Sequence, residues 1–309
     1  MTIIATRGLT MRFPRVTALD RLDLSVEPGV VGLVGANGAG KSTLIKILLG
    51  LLRASAGEAR VLGLDVASSG EAIRARVGYM PEHDCLPPDV SATEFCVHLA
   101  RMSGIPATAA RERTADVLRH VGLYEARYRP IGGYSTGMKQ RVKLAQALVH
   151  DPELVFLDEP TNGLDPAGRD EMLELIRRIG TDFGISVLVT SHLLGELERV
   201  CGHVVIIDGG RLLRAQDIGA YTEATRTVAV EVADGRDALG HRLADAGLRV
   251  WAEGRGLAVD LRDDTTYDVV RDAVTDLSLG LVRLEQRRHH IADVWTDTNV
   301  FADGGPHGG

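Results

Sequence analysis

The chain has 309 residues, a formal net charge of −7 and a pI near 5.8, with 45% hydrophobic and 25% charged residues. That is an ordinary globular composition, long enough for two domains. It holds no lysine/arginine tract of the kind that binds nucleic acid through phosphates, no run near the ~18 apolar residues of a membrane span, and no secretory-signal layout over Met1 to Met11.

Residues 1 to about 80 read as short strands and turns. Leu22–Val26 alternates as a half-exposed strand does, and Pro28-Gly29 turns the chain into the apolar run Val30–Val34. That run leads into Gly35-Ala-Asn37-Gly38-Ala39-Gly40-Lys41-Ser42-Thr43, a complete G-x-x-x-x-G-K-S/T loop. A buried strand here delivers the chain to a turn whose backbone N–H groups curl around a polyphosphate. A helix predicted over 41–52 starts with its positive end toward the same phosphates. Lys41 is placed to reach the β- and γ-phosphates, and the Ser42 hydroxyl to ligate Mg²⁺.

From about Val90 to His150 the pattern turns helical, with helices expected at 91–103, 107–121 and 138–149 and breaks at Gly104-Ile-Pro106 and Gly132-Gly133. The last of these helices has an inward stripe of Val142, Leu144, Ala145, Leu148 and Val149. Ser135, Thr136 and Gly137 stand at its N-terminus, a second place for an anion, 23 residues before Asp158. Leu154–Leu157 is an apolar strand ending in Asp158-Glu159, the layout of a Walker B. Asp158 would hold Mg²⁺ through its water shell, and Glu159 would accept a proton from an attacking water. Short apolar runs at Ser186–Thr190 and His203–Ile207 alternate with helical segments at 167–181 and 192–201. Strands alternating with helices give a mostly parallel sheet covered on both faces, with the 90–150 block inserted as a helical subdomain.

Past about Gln216 the character changes. A strand at Thr227–Val232, a helix near 236–246, a hairpin of Leu248–Ala252 and Leu257–Leu261, a helix near 266–277 and a strand at Leu281–Glu285 follow in turn. This β-α-β-β-α-β order is the ferredoxin-like pattern. His289-His290 and the arginines 283, 287 and 288 read as a solvated strand end, and residues 301–309 as a disordered tail. The three scattered cysteines, Cys85, Cys96 and Cys201, fit a reducing cytosol, lack metal-ligand spacing and read as small buried or half-buried thiols.

With these pieces in place the chain resembles the ATPase subunit of an ATP-binding cassette (ABC) transporter. The residues that carry the resemblance are the phosphate loop Gly35–Thr43, the signature Ser135-Thr136-Gly137-Met138-Lys-Gln140, and the Walker B Leu154–Glu159. The D-loop Asn162–Asp165 and the histidine of Val189-Thr-Ser-His192 complete the set. The match covers about residues 1–215, and Ile291–Trp295 is similar to an acidic-aromatic motif of single-cassette bacterial exporter subunits.

The resemblance implies an α/β fold: a P-loop NTPase (RecA-like) mostly parallel sheet with an antiparallel β subdomain and an inserted helical subdomain at about 88–150. The cassette would span 1–222, and a small α+β accessory domain 223–300. It also implies ATP and Mg²⁺ as ligands and head-to-tail pairing of two cassettes. Each ATP would then lie between Lys41 of one chain and Ser135 of the other. Phe13 would stack on adenine, His192 would hold Glu159 and the water in register, and Asp165 would cross the dimer interface. The power of ATP turnover would drive export through a separate membrane permease, with this chain held peripherally at the cytoplasmic face. The permease would dock over Glu82–Val90, Phe95 and Val97, although Leu86, Val90 and Phe95 also read as subdomain core. The alternatives are a soluble cassette acting on a cytosolic partner, which usually carries two cassettes or a long coiled coil, and a regulatory cassette. No nucleic-acid partner is expected.

Three positions depart from the family pattern. Glu82 stands where glutamine is usual and offers Mg²⁺ an anionic oxygen. Thr136 replaces a glycine of the signature, and Phe13 replaces a more frequent tyrosine, a mild change because stacking needs only the ring.

Overall fold

A computed structural model describes residues 2–217, 224–263 and 265–288. The chain divides into two compact units, Met1–Ile218 and Gly219–Gly309. In the first, β1 (Ile4–Phe13) and β2 (Val16–Val26) pair antiparallel, and β3 (Val30–Val34) follows, buried at every position. After the phosphate loop comes α1 (Lys41–Leu48), then β4 (Ala56–Val61), β5 (Leu64–Asp65), α2 (Gly70–Arg76) and β6 (Val77–Met80). The predicted helix 41–52 stops at Leu48, because Gly50 takes a left-handed φ of 67° and the N–H groups of Gly50 and Leu51 return to the carbonyls of Ile47 and Lys46. That pair of bonds closes a helix end and favours glycine there.

The helical block is α3 (Ala92–Met102), α4 (Ala107–His120) and α5 (Thr136–Leu148), with a 3₁₀ turn at Ile131–Gly133. A capping box fixes the start of α3, where Ser91 accepts from the Glu94 N–H and the Glu94 carboxylate accepts from the Ser91 N–H. Then come β7 (Leu154–Leu157), α6 (Pro166–Thr181), β8 (Ser186–Ser191), α7 (Leu194–Leu197), β9 (His203–Asp208) and β10 (Arg211–Asp217). Only Leu194–Leu197 of the helix expected at 192–201 is regular. Gly195 sits inside it and weakens helical propensity, and beyond it the N–H groups of Arg199 and Val200 reach back only three residues.

Among the described residues β10-β9-β3-β8-β7-β6 form a sheet that is parallel except for β10, and β2-β1-β4-β5 form an antiparallel one. The β3, β7 and β8 strands are buried throughout, as a parallel sheet covered on both faces requires. Their C-terminal ends all lie at one edge, where ligands of such sheets bind. No described helix is long and apolar enough to cross a membrane.

The second unit holds β11 (Ala224–Val232), α8 (Arg236–Asp245), β12 (Val250–Glu253), β13 (Gly256–Asp260), α9 (Thr265–Asp276) and β14 (Leu281–Arg288). Its antiparallel sheet has the order β12-β13-β11-β14, the ferredoxin-like arrangement. Val228, Val230 and Val259 from the sheet and Leu239, Leu243, Val270 and Val274 from the helices make its core. Arg283 pairs with Glu285. His289, His290, the Ile291–Trp295 motif and residues 301–309 lie outside the described residues. Of the thiols, Cys96 and Cys201 are buried, which pushes each up to about 12, whereas Cys85 is exposed.

Candidate functional site

Gly35, Gly38 and Gly40 shape a cleft at the end of β3, and each has a steric reason to be glycine. A Cβ at Gly35 would meet the Ile207 carbonyl at 2.5 Å, and one at Gly40 the Ala18 carbonyl at 2.5 Å. Gly38 and Gly40 also hold left-handed φ values of 87° and 104°, which side chains resist. Asn37, Gly38, Gly40, Lys41, Ser42 and Thr43 line the cleft together with Ala18, Ala36, Glu82 and Glu159. Ala39 is buried behind it, its N–H closing a turn onto the Ala36 carbonyl. The free N–H groups at the start of α1 and the dipole of that helix make the cleft an anion site. Lys41 is folded into it, 7% exposed, with Nζ donating to the Gly35 carbonyl at 2.7 Å.

Opposite stands Glu159, one residue beyond Asp158 at the end of β7. Its backbone is left-handed at φ 50° and its side chain is buried. A non-glycine residue held there costs on the order of 1–3 kcal/mol and persists only where its surroundings over-determine it. Here they do. The Glu159 N–H donates to Thr190 Oγ1 at 2.8 Å, and that hydroxyl donates to Asp158 Oδ1 at 2.8 Å. His192 Nδ1 meets Glu159 Oε2 at 2.8 Å, and Lys41 Nζ lies 3.6 Å from Oε1. Glu159 Oε1 is buried and accepts no hydrogen bond. An orphaned carboxylate oxygen beside an anion-binding cleft has an unused place for a hydrogen-bond donor.

Three other oxygen-bearing side chains fit a magnesium ion. Ser42 and Glu82 face the cleft, Asp158 is buried at its side, and the described residues hold no cluster of three or more His, Cys, Asp or Glu ligands. Mg²⁺ takes one or two carboxylates with waters and substrate phosphates rather than a full protein cage. Nearby, Tyr79 is pushed up to about 12, by burial first and then by the Asp158 charge.

The remaining sequence candidates lie elsewhere. Ser135 and Thr136 are exposed at the start of α5, with Ser135 Oγ capping the Met138 N–H at 3.3 Å, and Gly137 and Met138 are half-buried beside them. Gln140 is buried and its Nε2 donates to the Asn162 carbonyl at 3.0 Å. Asp165 caps α6, its Oδ1 accepting from the Gly168 N–H at 3.1 Å. Phe13 is 41% exposed at the end of β1 and is not among the cleft-lining residues. Leu86, Val90 and Phe95 are half-buried rather than core, near an open groove lined by Thr93, Val97, His98, Arg101, Arg111 and Tyr128.

Sequence reasoning passed over two buried polar residues. Thr190 is fully buried and ties both carboxyl-bearing residues together; a hydroxyl near the end of an apolar strand was the signal. Lys143, between Val142 and Leu144 of α5, is 3% exposed, and its Nζ donates to the Glu82 carbonyl at 2.8 Å. Burial pulls its ammonium below the ordinary lysine value, and the charges of Cys85, Asp84, Glu82 and Asp158 oppose that pull. Replacing Thr190 with valine keeps the shape but leaves the buried Glu159 N–H unpaired. The expected loss is about 1–3 kcal/mol of stability by denaturant unfolding, with Thr190→Ser nearly unchanged; a valine variant of parental stability would show the bridge to be dispensable.

Residues 19–162 match the family model described as ABC transporter. The chain is 35% identical over 293 residues to the daunorubicin/doxorubicin resistance ATP-binding protein DrrA of Streptomyces peucetius, covering 93% of this chain and 86% of that one. It is 34% identical over 264 residues to the Nod factor export ATP-binding protein I of Ralstonia nicotianae, covering 84% and 82%. Among solved structures it is similar to cbiO1 of Clostridium perfringens, part of the ABC transporter complex cbiONQ, with a TM-score of 0.65 and 26% identity over 71% of this chain and 90% of that one.

Proposed function

The chain belongs to the ABC transporter family as an ATP-binding, ATP-hydrolysing subunit, and from that premise we propose that two copies pair head to tail to power export through a separate membrane permease. One observation carries this reading. The phosphate cleft with Lys41, Ser42 and Glu159 lies in one place, while the exposed N-terminus of α5 with Ser135 and Thr136 contributes nothing to its lining. Two incomplete anion sites on one chain become two complete ones when a second chain is turned against the first. In that pairing ATP is held between the Gly35–Thr43 loop and the partner's Ser135, Thr136 and Gly137, Phe13 stacks on the base, and Asp165 crosses between the chains.

In the cleft Lys41 neutralises charge on the β- and γ-phosphates, and Glu159 takes the proton of the attacking water. His192 holds the Glu159 carboxylate in place. Ser42, Glu82 and Asp158 would hold Mg²⁺, which when bound offsets charge on the phosphate oxygens. Loss of the γ-phosphate removes the anion shared by the two half-sites, so the pair opens and the permease is driven between states.

Half-buried Leu86, Val90 and Phe95, with Val97 lining an open groove, support permease docking over Glu82–Val90, Phe95 and Val97. Export as the direction rests on the relatives named for drug resistance and for Nod factor export. The chain would then sit peripherally at the cytoplasmic face of the membrane. Pull-down of tagged, ATP-loaded Glu159→Gln protein from gently solubilised host membranes tests the reading. It should recover a multi-helix membrane protein; recovery of ribosomes, nucleic acid or the chain alone would overturn it. Glu82→Gln should keep steady-state turnover within a few-fold of the parent, since an amide oxygen also ligates Mg²⁺. A complete loss of hydrolysis would make the carboxylate essential.

A further inference from the structure

The segment after β6 carries Glu82 to the cleft edge, and one face of α5 grips it. Lys143 Nζ donates to the Glu82 carbonyl at 2.8 Å, Gln146 Nε2 reaches Cys85 Sγ at 3.7 Å, and Lys139 Nζ lies 4.0 Å from Asp84 Oδ2. Positions 139, 143 and 146 fall on a single helix face. Of the three, Lys143 is the buried one, at 3% exposure, in a helix whose other buried residues are Gln140 and the apolar Val142, Leu144, Ala145, Ala147 and Leu148. Burying a lysine is costly, and a leucine would fill the space without that cost. The ammonium is therefore explained by what it holds.

We propose that Lys143 is a positioning residue: it clamps the main chain of Glu82 to α5, so that the Glu82 carboxylate keeps its place at the cleft and moves as one piece with the signature end of the helix. A side chain that is to hold a metal at the cleft is only as well placed as the main chain that carries it, and the Lys143 bond ties that main chain to α5. Ser135 stands eight residues up the same helix, about 12 Å away at the α-helical rise. In the head-to-tail reading of the preceding section, on which this consequence rests, Glu82 serves the chain's own ATP and Ser135 the partner's. Lys143 then makes the two nucleotide sites of a dimer sense one another.

The test uses the full chain and Lys143→Met, which keeps length and apolar volume but loses the donor. With a non-hydrolysable ATP analogue present, Mn²⁺ serves as a spin probe of the metal position. Its affinity should fall about 10-fold, the lower range for loss of a group that orients a ligand. Amide exchange over residues 82–86 should accelerate while exchange in β3 and β7 stays as in the parent. In a Glu82→Ala background the same substitution should shift Mn²⁺ affinity less than about twofold, because position 82 then offers the metal no side-chain oxygen to be placed. Unchanged exchange at 82–86, or an equal fall in Mn²⁺ affinity in both backgrounds, would overturn the proposal. If Lys143→Met does not fold, the rim pair Gln146→Leu with Lys139→Ala loosens the same segment and takes the same measurements. A chain that stays monomeric with ATP would remove the cross-talk between sites and the two-cassette reading with it, leaving the exchange and Mn²⁺ results to decide the clamp.

Discussion

Glu159→Gln is expected to abolish steady-state ATP turnover, by 10²-fold or more on the usual scale of a lost general base, while ATP still binds and an ATP-loaded dimer accumulates. The substitution leaves the local fold intact. The Glu159 N–H still meets Thr190 Oγ1, and the left-handed backbone at φ 50° is set by main-chain contacts that glutamine keeps. What changes is charge. The oxygen facing Lys41 at 3.6 Å, buried and without a hydrogen-bond donor, can no longer take a proton from water. Glutamine also withdraws a negative charge from beside the γ-phosphate, so ATP should bind at least as tightly. Turnover, nucleotide affinity and sedimentation with ATP read the three outcomes separately. Normal turnover would remove Glu159 from the role of base. Lost turnover with no dimer would keep the base and remove the two-cassette pairing.

The legible parts of the sequence were those in which local chemistry fixes the conformation. The Val30–Val34 run, the Gly35–Thr43 loop and the apolar strand ending in Asp158-Glu159 carry their signals within a few residues, and their order predicted the parallel sheet that the fold has. The β-α-β-β-α-β order beyond residue 224 was equally plain, since each strand is short and alternating and each helix is bounded by turns. Helix ends were less legible, because a glycine such as Gly50 stops a helix only when the following N–H groups find carbonyls to return to. Least legible were Thr190 and Lys143. Each acts on a residue far away in the chain, Thr190 on Asp158 and Lys143 on Glu82, and pairing across 32 and 61 positions leaves no periodic trace. Thr190 did leave a weaker mark, a hydroxyl at the end of an apolar strand, which by itself gives no partner; Lys143 left none, since Lys139, Gln140, Arg141 and Gln146 make its stretch polar in any case.

The second large effect is expected at Gly78, in the middle of β6. A Cβ there would lie 1.9 Å from the Ala147 carbonyl of α5 and 2.9 Å from Val155 Cγ1 of β7. The obstructing atom is main chain, so no rotamer change relieves it; α5 has to lift off the sheet. Overpacking of a core usually costs 1–3 kcal/mol, and a backbone clash of this depth belongs at or above the upper end. Gly78→Ala should therefore lose about 3 kcal/mol, a fall of roughly 6–12 °C in melting temperature for a unit of this size. The consequence reaches the chemistry through geometry. Gly78 is four residues before Glu82, and Ala147 is four residues beyond Lys143, so lifting α5 from β6 pulls the clamp from its carbonyl. If the close approach of helix and strand is what seats that clamp, Gly78→Ala assayed well below its melting point should also bind Mn²⁺ more weakly. It should do so in the same sense as Lys143→Met, and the two substitutions together should cost less than the sum of each alone. A variant that melts with the parent would mean that α5 and β6 have room to spare. One that is destabilised yet binds Mn²⁺ normally would confine Gly78 to packing and separate the seat of the helix from its hold on Glu82.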